Sequence, residues 1–223
     1  MNWIVSFFSV LPIGGHMEYH HIHWFGQSAF RVEDGALQIY IDPFKLPAGL
    51  PKADVIFITH AHFDHFSMED ISKIKADHTM IVAPKDVASQ FVDSVFGVVP
   101  GKDYTIGTWK VTTVPAYNID KKFHPKEKKW VGYIITLADG QKIYHAGDTD
   151  FIPEMREIHT DIAMLPCDGT YTMTAVQAAE AANIFKPKVL IPIHLGEGFG
   201  KVNARQEVKK TFKGETVFMT QEK

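Results

Sequence analysis

Cysteine is almost absent from this chain of 223 residues. The single thiol, Cys167, excludes an internal disulfide and fits a reducing, cytoplasmic setting. It follows an apolar run over 162–166, so it reads as a small buried side chain and not as a nucleophile. Positive charge is not in excess either: 23 lysines and arginines face 26 aspartates and glutamates, a formal charge of −3. That balance offers no general basic field to nucleic acid. No apolar run reaches the roughly 20 residues that a membrane-spanning helix needs. Residues 3–13 are apolar, but they are too short and have no basic leader. Residues 1–16 are therefore read as an apolar N-terminal extension, a start-site or expression artefact, with a membrane-touching tail as the alternative. One domain is expected over 17–223. Repeats and low-complexity blocks are also missing. Gly196, Gly198 and Gly200 lack the strand–turn–helix setting of a dinucleotide site and read as a rim loop.

What is present is an ordinary globular composition, 45% hydrophobic and 22% charged, with one unusual concentration of chemistry. Three imidazoles and a carboxylate, His60, His62, Asp64 and His65, occupy six positions directly after the apolar run at 55–58. Such a run reads as a buried strand, so the cluster lies where a strand empties into a loop. Imidazole nitrogen and carboxylate oxygen are the donors that a zinc-like ion prefers, and a loop can turn them toward two ions. This is a metal site. Lys121, Lys122, Lys126, Lys128 and Lys129 form a local basic patch, read as a solvated loop, with a landing site for an anionic small-molecule substrate as the alternative.

Along the chain, 23–32 and 37–41 read as a hairpin turning at Asp34-Gly35 and ending at Asp42. Ser67 with Asp70 opens a helix. A short strand near 80–83 precedes a second helix over 86–96. Further strands are expected at 110–114, in a hairpin over 131–146, at 162–165, at 189–193 and at 216–219. Helical segments are expected at 152–158, from the Thr174/Gln177 cap to 185, and at 204–212. Two mixed sheets packed face to face under helices satisfy this order, an α/β architecture.

Two later positions repeat the strand-end logic. Asp148 follows a strand through Gly147, and His194 ends the apolar run 189–193. With His60-x-His62-x-Asp64-His65, these residues resemble the metallo-β-lactamase-fold superfamily. His-Ala-Gly-Asp-Thr at 145–149, Leu165-Pro166 and Ile193-His194 resemble more narrowly its metal-dependent hydrolase branch, the one containing L-ascorbate-6-phosphate lactonase and N-acyl-phosphatidylethanolamine phospholipase D. The resemblance runs from about residue 20 to the C-terminus and implies a four-layered αβ/βα sandwich. It implies that His60 and His62 hold a first ion, that Asp64, His65 and His194 hold a second, and that Asp148 bridges them. Relatives place a third histidine of the first ion after the strand matching 110–114, where this chain has Asn118. His124 then either replaces that ligand, acts on substrate, or is a plain surface histidine. The cofactor expected is one or two Zn²⁺, with Mn²⁺ or Fe²⁺ as alternatives.

The chemistry implied is hydrolysis. A metal lowers the pKa of bound water from 15.7 to about 7, and a hydroxide held between two ions attacks carbon or phosphorus. Asp64 or Asp148 would orient the water, and His124 or a loop lysine would assist the leaving group. The expected substrate is a small phosphodiester, phosphate-bearing lactone or ester. The competing readings are a nuclease or phospholipid diesterase, and a non-catalytic metal-binding or sensing protein disabled at Asn118. Asp42 and His145 are expected to support the ligands by hydrogen bonds. His20, His21 and His23 are read as strand polar residues, because alternation spreads them over both faces.

Overall fold

The computed structural model describes residues 19–195 and 203–223. The expectations for 1–16 and for Gly196, Gly198 and Gly200 therefore lie outside the described residues. A six-stranded sheet is built in chain order from β1 (Ile22–Gly26), β2 (Ala29–Asp34), β3 (Leu37–Ile41), β4 (Val55–Phe57), β5 (Met80–Pro84) and β6 (Val95–Val98). The first three strands form an antiparallel meander, and the pairs from β3 to β6 are parallel. A seven-stranded sheet runs in the reverse of chain order from β13 (Glu215–Thr216) through β12 (Val189–Ile193), β11 (Ile162–Pro166), β10 (Lys142–His145), β9 (Val131–Thr136) and β8 (Trp109–Pro115) to β7 (Asp103–Ile106).

Strand alternation explains why the apolar runs are continuous. In β3, Ile39 and Ile41 enter the core between the sheets, while Tyr40 faces a second core on the outer side. Val55 and Phe57 against Ile56 in β4, and Val189, Ile191 and Ile193 against Leu190 in β12, repeat the division. In these strands nearly every residue is buried whichever face it takes, so period-2 polarity disappears. Helices α1 (Met68–Ile74) and α2 (Lys85–Ala88) cover the first sheet. Helices α3 (Ala175–Phe185) and α4 (Ala204–Thr211) cover the second. The result is the four-layered αβ/βα sandwich. The Ser67 cap opens α1, accepting from Asp70 N at 3.2 Å. Thr174 and Gln177 form a reciprocal capping box on α3, whose inner face is a row of buried alanines ending at Phe185. Among the described residues, no helix is long and apolar enough to cross a membrane.

The structure corrects several local expectations. The run at 23–32 is two strands, because Gly26 (φ 107°) and Gln27 (φ 49°) take left-handed conformations and fold β1 back onto β2. The helix expected over 86–96 stops at Ala88, and 95–98 becomes β6. Its β-branched residues complete the open edge of β5, a tertiary pairing that overrides local helix propensity. The last strand shortens to Glu215–Thr216, and 152–158 is a 3₁₀ turn over Pro153–Glu157. Strand β7 was not anticipated.

Candidate metal centre

The two sheets deliver their polar residues to one rim. His60, His62, Asp64 and His65 follow β4, His124 lies on the loop after β8, Asp148 follows β10, and His194 follows β12. Glycine is needed before Asp148: Gly147 has φ 63°, and an added Cβ would stand 2.8 Å from Thr59 Cβ. Three groups of donors result; in one of them, Asp42, His60 and His65, the carboxylate is already bonded to Thr59 and to the outer nitrogen of His65, which leaves two that face the centre. His60, His62, His124 and Asp148 converge in one, and Asp64, His65 and His194 in the other, with the donor atoms of each group within 4.8 Å of one another.

Asp148 stands between the groups. Its Oδ2 lies 3.2 Å from His124 Nε2 and 3.4 Å from His194 Nε2, and its Oδ1 lies 3.3 Å from His65 Nε2. His60 Nε2 is 3.9 Å from Oδ2. All these side chains are buried except His62, which is half-buried at the cavity wall. His65 Nε2, His124 Nε2 and Asp148 Oδ1 are buried and meet only one another's side chains, at ion-pair distance without well-aligned hydrogen bonds, which leaves lone-pair capacity facing the centre.

The residues behind the donors fix which nitrogen faces inward. His65 Nδ1 lies 2.7 Å from Asp42 Oδ2, and Asp42 also accepts from Thr59 N at 2.8 Å and Thr59 Oγ1 at 2.7 Å. His194 Nδ1 lies 3.1 Å from Asp168 Oδ2. Each carboxylate holds a proton on Nδ1 and turns Nε2 toward the centre, the arrangement that supports metal-bound imidazole. Gln27 Nε2 donates to Asp64 Oδ2 at 3.1 Å and lies 3.0 Å from His194 Nε2.

Electrostatics follow from burial. Burial pushes the His65 imidazole down, but the carboxylates of Asp148 and Asp42 outweigh it and hold its pKa well above the usual value. His194 is likewise raised to about 10, with Asp148, Asp168 and Asp64 overcoming burial. Burial raises Asp148, yet His194 and His65 hold it well below the carboxylate range. His60 goes the other way, lowered well below the usual value by burial and by the charge on His65. Four carboxylates, Asp42, Asp64, Asp148 and Asp168, meet here, and among the described residues no lysine or arginine is a direct side-chain partner of any of them. Divalent cations bound here would supply positive charge to balance them. The converging inward atoms and the nitrogen–oxygen donor set both fit such ions.

The structure brings together all six residues of the expected set and adds His124, which is buried, not on the surface. Asn118 is not in the ring of donors. It stands behind His124, with Nδ2 3.2 Å from the outer Nδ1, and donates to Phe123 O at 2.9 Å and Tyr171 O at 2.7 Å. His145, expected to support a ligand by a hydrogen bond, instead spends both nitrogens on backbone: Nε2 meets Ser28 O at 2.9 Å, and Nδ1 accepts from Gly147 N at 3.2 Å. His21 pairs with Gln141, and His23 with Glu33 and Glu222. In the basic patch, Lys121 pairs with Asp150 and Lys126 with Glu154. Sequence reasoning missed Asp168 and Gln27. The first follows β11 just as His194 follows β12, so the strand-end signal was there. Gln27 carries no comparable signal. The donors floor a cavity of about 330 Å³.

The Beta-lactamase superfamily domain matches residues 21–194. A UPF0173 metal-dependent hydrolase of Thermococcus onnurineus is 34% identical over 189 residues, spanning 78% of this chain and 83% of the relative. The crystal structure of a metal-dependent hydrolase from Parabacteroides distasonis superposes with a TM-score of 0.81 at 32% identity, covering 90% of this chain and 93% of that one. The metallo hydrolase Igni18 of Ignicoccus hospitalis gives a TM-score of 0.74 at 25% identity over 91% of this chain and 95% of that one.

Proposed function

This chain belongs to the beta-lactamase superfamily and is a metal-dependent hydrolase, and from that premise we propose that it cleaves a small ester, lactone or phosphodiester at a two-cation centre. His60, His62 and His124 would hold the first cation, Asp64, His65 and His194 the second, and Asp148 would serve both. The observation that carries this reading is the position of Asp148, whose two oxygens each face an imidazole Nε2 from a different donor group. Zn²⁺, Mn²⁺ or Fe²⁺ suits these donors, and such ions supply Lewis acidity and activate water at neutral pH.

The chain's own residues do the rest. Asp64 lines the cavity, and Gln27 pins one of its oxygens. Burial would raise this carboxyl, but bonds from His194 and Gln27, together with the charge on His65, keep it ionised, so it can orient water by accepting a hydrogen bond from it. Asp42 and Asp168 keep His65 and His194 with Nε2 inward through the cycle. The non-catalytic alternative rested on Asn118 disabling the first site. The grouping of His124 with His60 and His62 supports a third imidazole there and favours the hydrolytic reading.

The test is turnover by purified protein loaded with each metal, on activated esters, lactones and phosphodiesters. Two cations per chain with turnover of one class, abolished by His60→Ala, is expected. Two bound cations with no turnover across all three classes would contradict hydrolysis of these bonds.

A further inference from the structure

The cavity floor is polar, but its walls are not. Phe63, Phe123 and Tyr171 rise around the donors. Phe63 is 71% exposed and Phe123 is 43% exposed, although both directly adjoin metal-centre residues, Asp64 and His124. Neither ring is loose dressing. Phe123 meets Tyr171 edge-on at 5.1 Å, and Phe63 meets Phe44 edge-on at 5.9 Å.

The two loops that carry Phe123 and Tyr171 are tied together from behind. Asn118, which stands where a ligand was expected, bonds the backbone carbonyls of both residues. Asp168 accepts from Tyr171 N at 2.6 Å with one oxygen, while the other lies 3.1 Å from His194 Nδ1. One carboxylate thus links the wall of the cavity to its floor. Preorganised aromatic surface beside a reactive centre favours a ligand's flat or apolar part, since the cost of ordering the walls is already met. Among the described residues no lysine or arginine lines the cavity, and the nearby Lys121 and Lys126 are engaged by Asp150 and Glu154. A volume of about 330 Å³ suits a small molecule, at the lower end of ligand sites.

We propose that Phe63, Phe123 and Tyr171 form a specificity slot for an uncharged aryl group next to the scissile bond, with Asn118 as the residue that positions two of its walls. The inference rests on the hydrolytic reading above and names the class of substrate group. The metal centre takes the reacting group, and the slot takes what the substrate carries beside it.

The experiment compares three esters that share one leaving group and differ in the acyl side: phenyl-bearing, methyl-bearing and carboxylate-bearing. The cation-loaded protein should give its lowest KM with the phenyl compound. Tyr171→Ala and Phe123→Ala should each raise that KM roughly tenfold, from loss of aromatic packing, with a clearly smaller change for the methyl compound. Equal losses on both, or a preference for the carboxylate-bearing ester, would overturn the slot. Should no ester be turned over, calorimetric binding of phenylacetate to the cation-loaded protein decides separately from hydrolysis. Weaker binding by Tyr171→Ala supports the slot even as the hydrolytic reading fails. Absent or unchanged binding overturns it.

Discussion

Asp42→Asn removes one charge and one acceptor at the most tightly organised point of the centre. Asp42 is fully buried, with one oxygen on Thr59 N and the other on both Thr59 Oγ1 and His65 Nδ1. Its backbone is left-handed at φ 48°, a conformation asparagine also tolerates, so the exchange tests the side chain alone. An amide there keeps its oxygen on Thr59 N and turns its NH₂ toward His65. The Thr59 hydroxyl can rotate to accept, but His65 must then present a lone pair at Nδ1 and carry its proton on Nε2. That proton occupies the atom facing Asp148 at 3.3 Å and displaces a cation from it. Losing a supporting carboxylate of this kind costs about 10- to 100-fold in metal affinity. The lost charge-assisted bond costs about 1.5–3 kcal/mol, and at roughly 2–4 °C per kcal/mol in a domain of this size, Tm should fall by about 3–12 °C. Chelator competition for each metal equivalent and thermal unfolding of the cation-free protein measure the two effects. The second equivalent should weaken and the first should hold. Wild-type affinity for both equivalents would refute the tautomer reasoning.

Gly147→Ala places a methyl 2.8 Å from Thr59 Cβ at φ 63°; strain and overpacking together should cost about 2–5 kcal/mol, read by urea unfolding, and an unchanged midpoint would show that the backbone relaxes freely. With no cation bound, His194 keeps its proton up to about pH 10 and His65 is raised as well. Cation binding at pH 7 must therefore release protons, and affinity should rise with pH. Calorimetry in buffers of different ionisation enthalpy measures the release, and none would contradict the assignment. Asp70 accepts from Lys45 N, Leu46 N and Lys73 Nζ at 2.8–2.9 Å. Burial pushes its carboxyl up, but Lys73, Ser67 and those amides outweigh it, so its folded pKa is lowered. Its contribution is present above the unfolded value of about 3.9 and lost as pH falls toward the folded one. Asp70→Asn should lower stability at neutral pH and flatten the loss below about pH 4, and an unchanged acid limb would assign that limb to other groups.

The sequence made most of the sandwich legible because strands such as β4 and β12 are buried at every residue, so runs such as 55–58 and 189–193 announce themselves. The 86–96 helix failed because an open edge on β5 was worth more than local propensity. The turn at Gln27-Ser28 was missed because a two-residue turn inside a β-rich run leaves little trace. At the site, His60, His62, Asp64 and His65 were legible from crowding, and Asp148 and His194 from strand ends. The relation between Asn118 and His124 was not, because a loop of six residues can bring either side chain inward. Only the bonds from Asn118 to Phe123 O and Tyr171 O turn it outward.

The central claim is a two-cation centre with His124 as the third imidazole of the first ion. An anomalous-difference map at the metal absorption edge, from crystals of the metal-loaded protein, tests it most directly. Two peaks flanking Asp148 are predicted, one bounded by His60, His62 and His124 with Asn118 beyond bonding distance. A single peak, or one bonded to Asn118 in place of His124, would contradict the account.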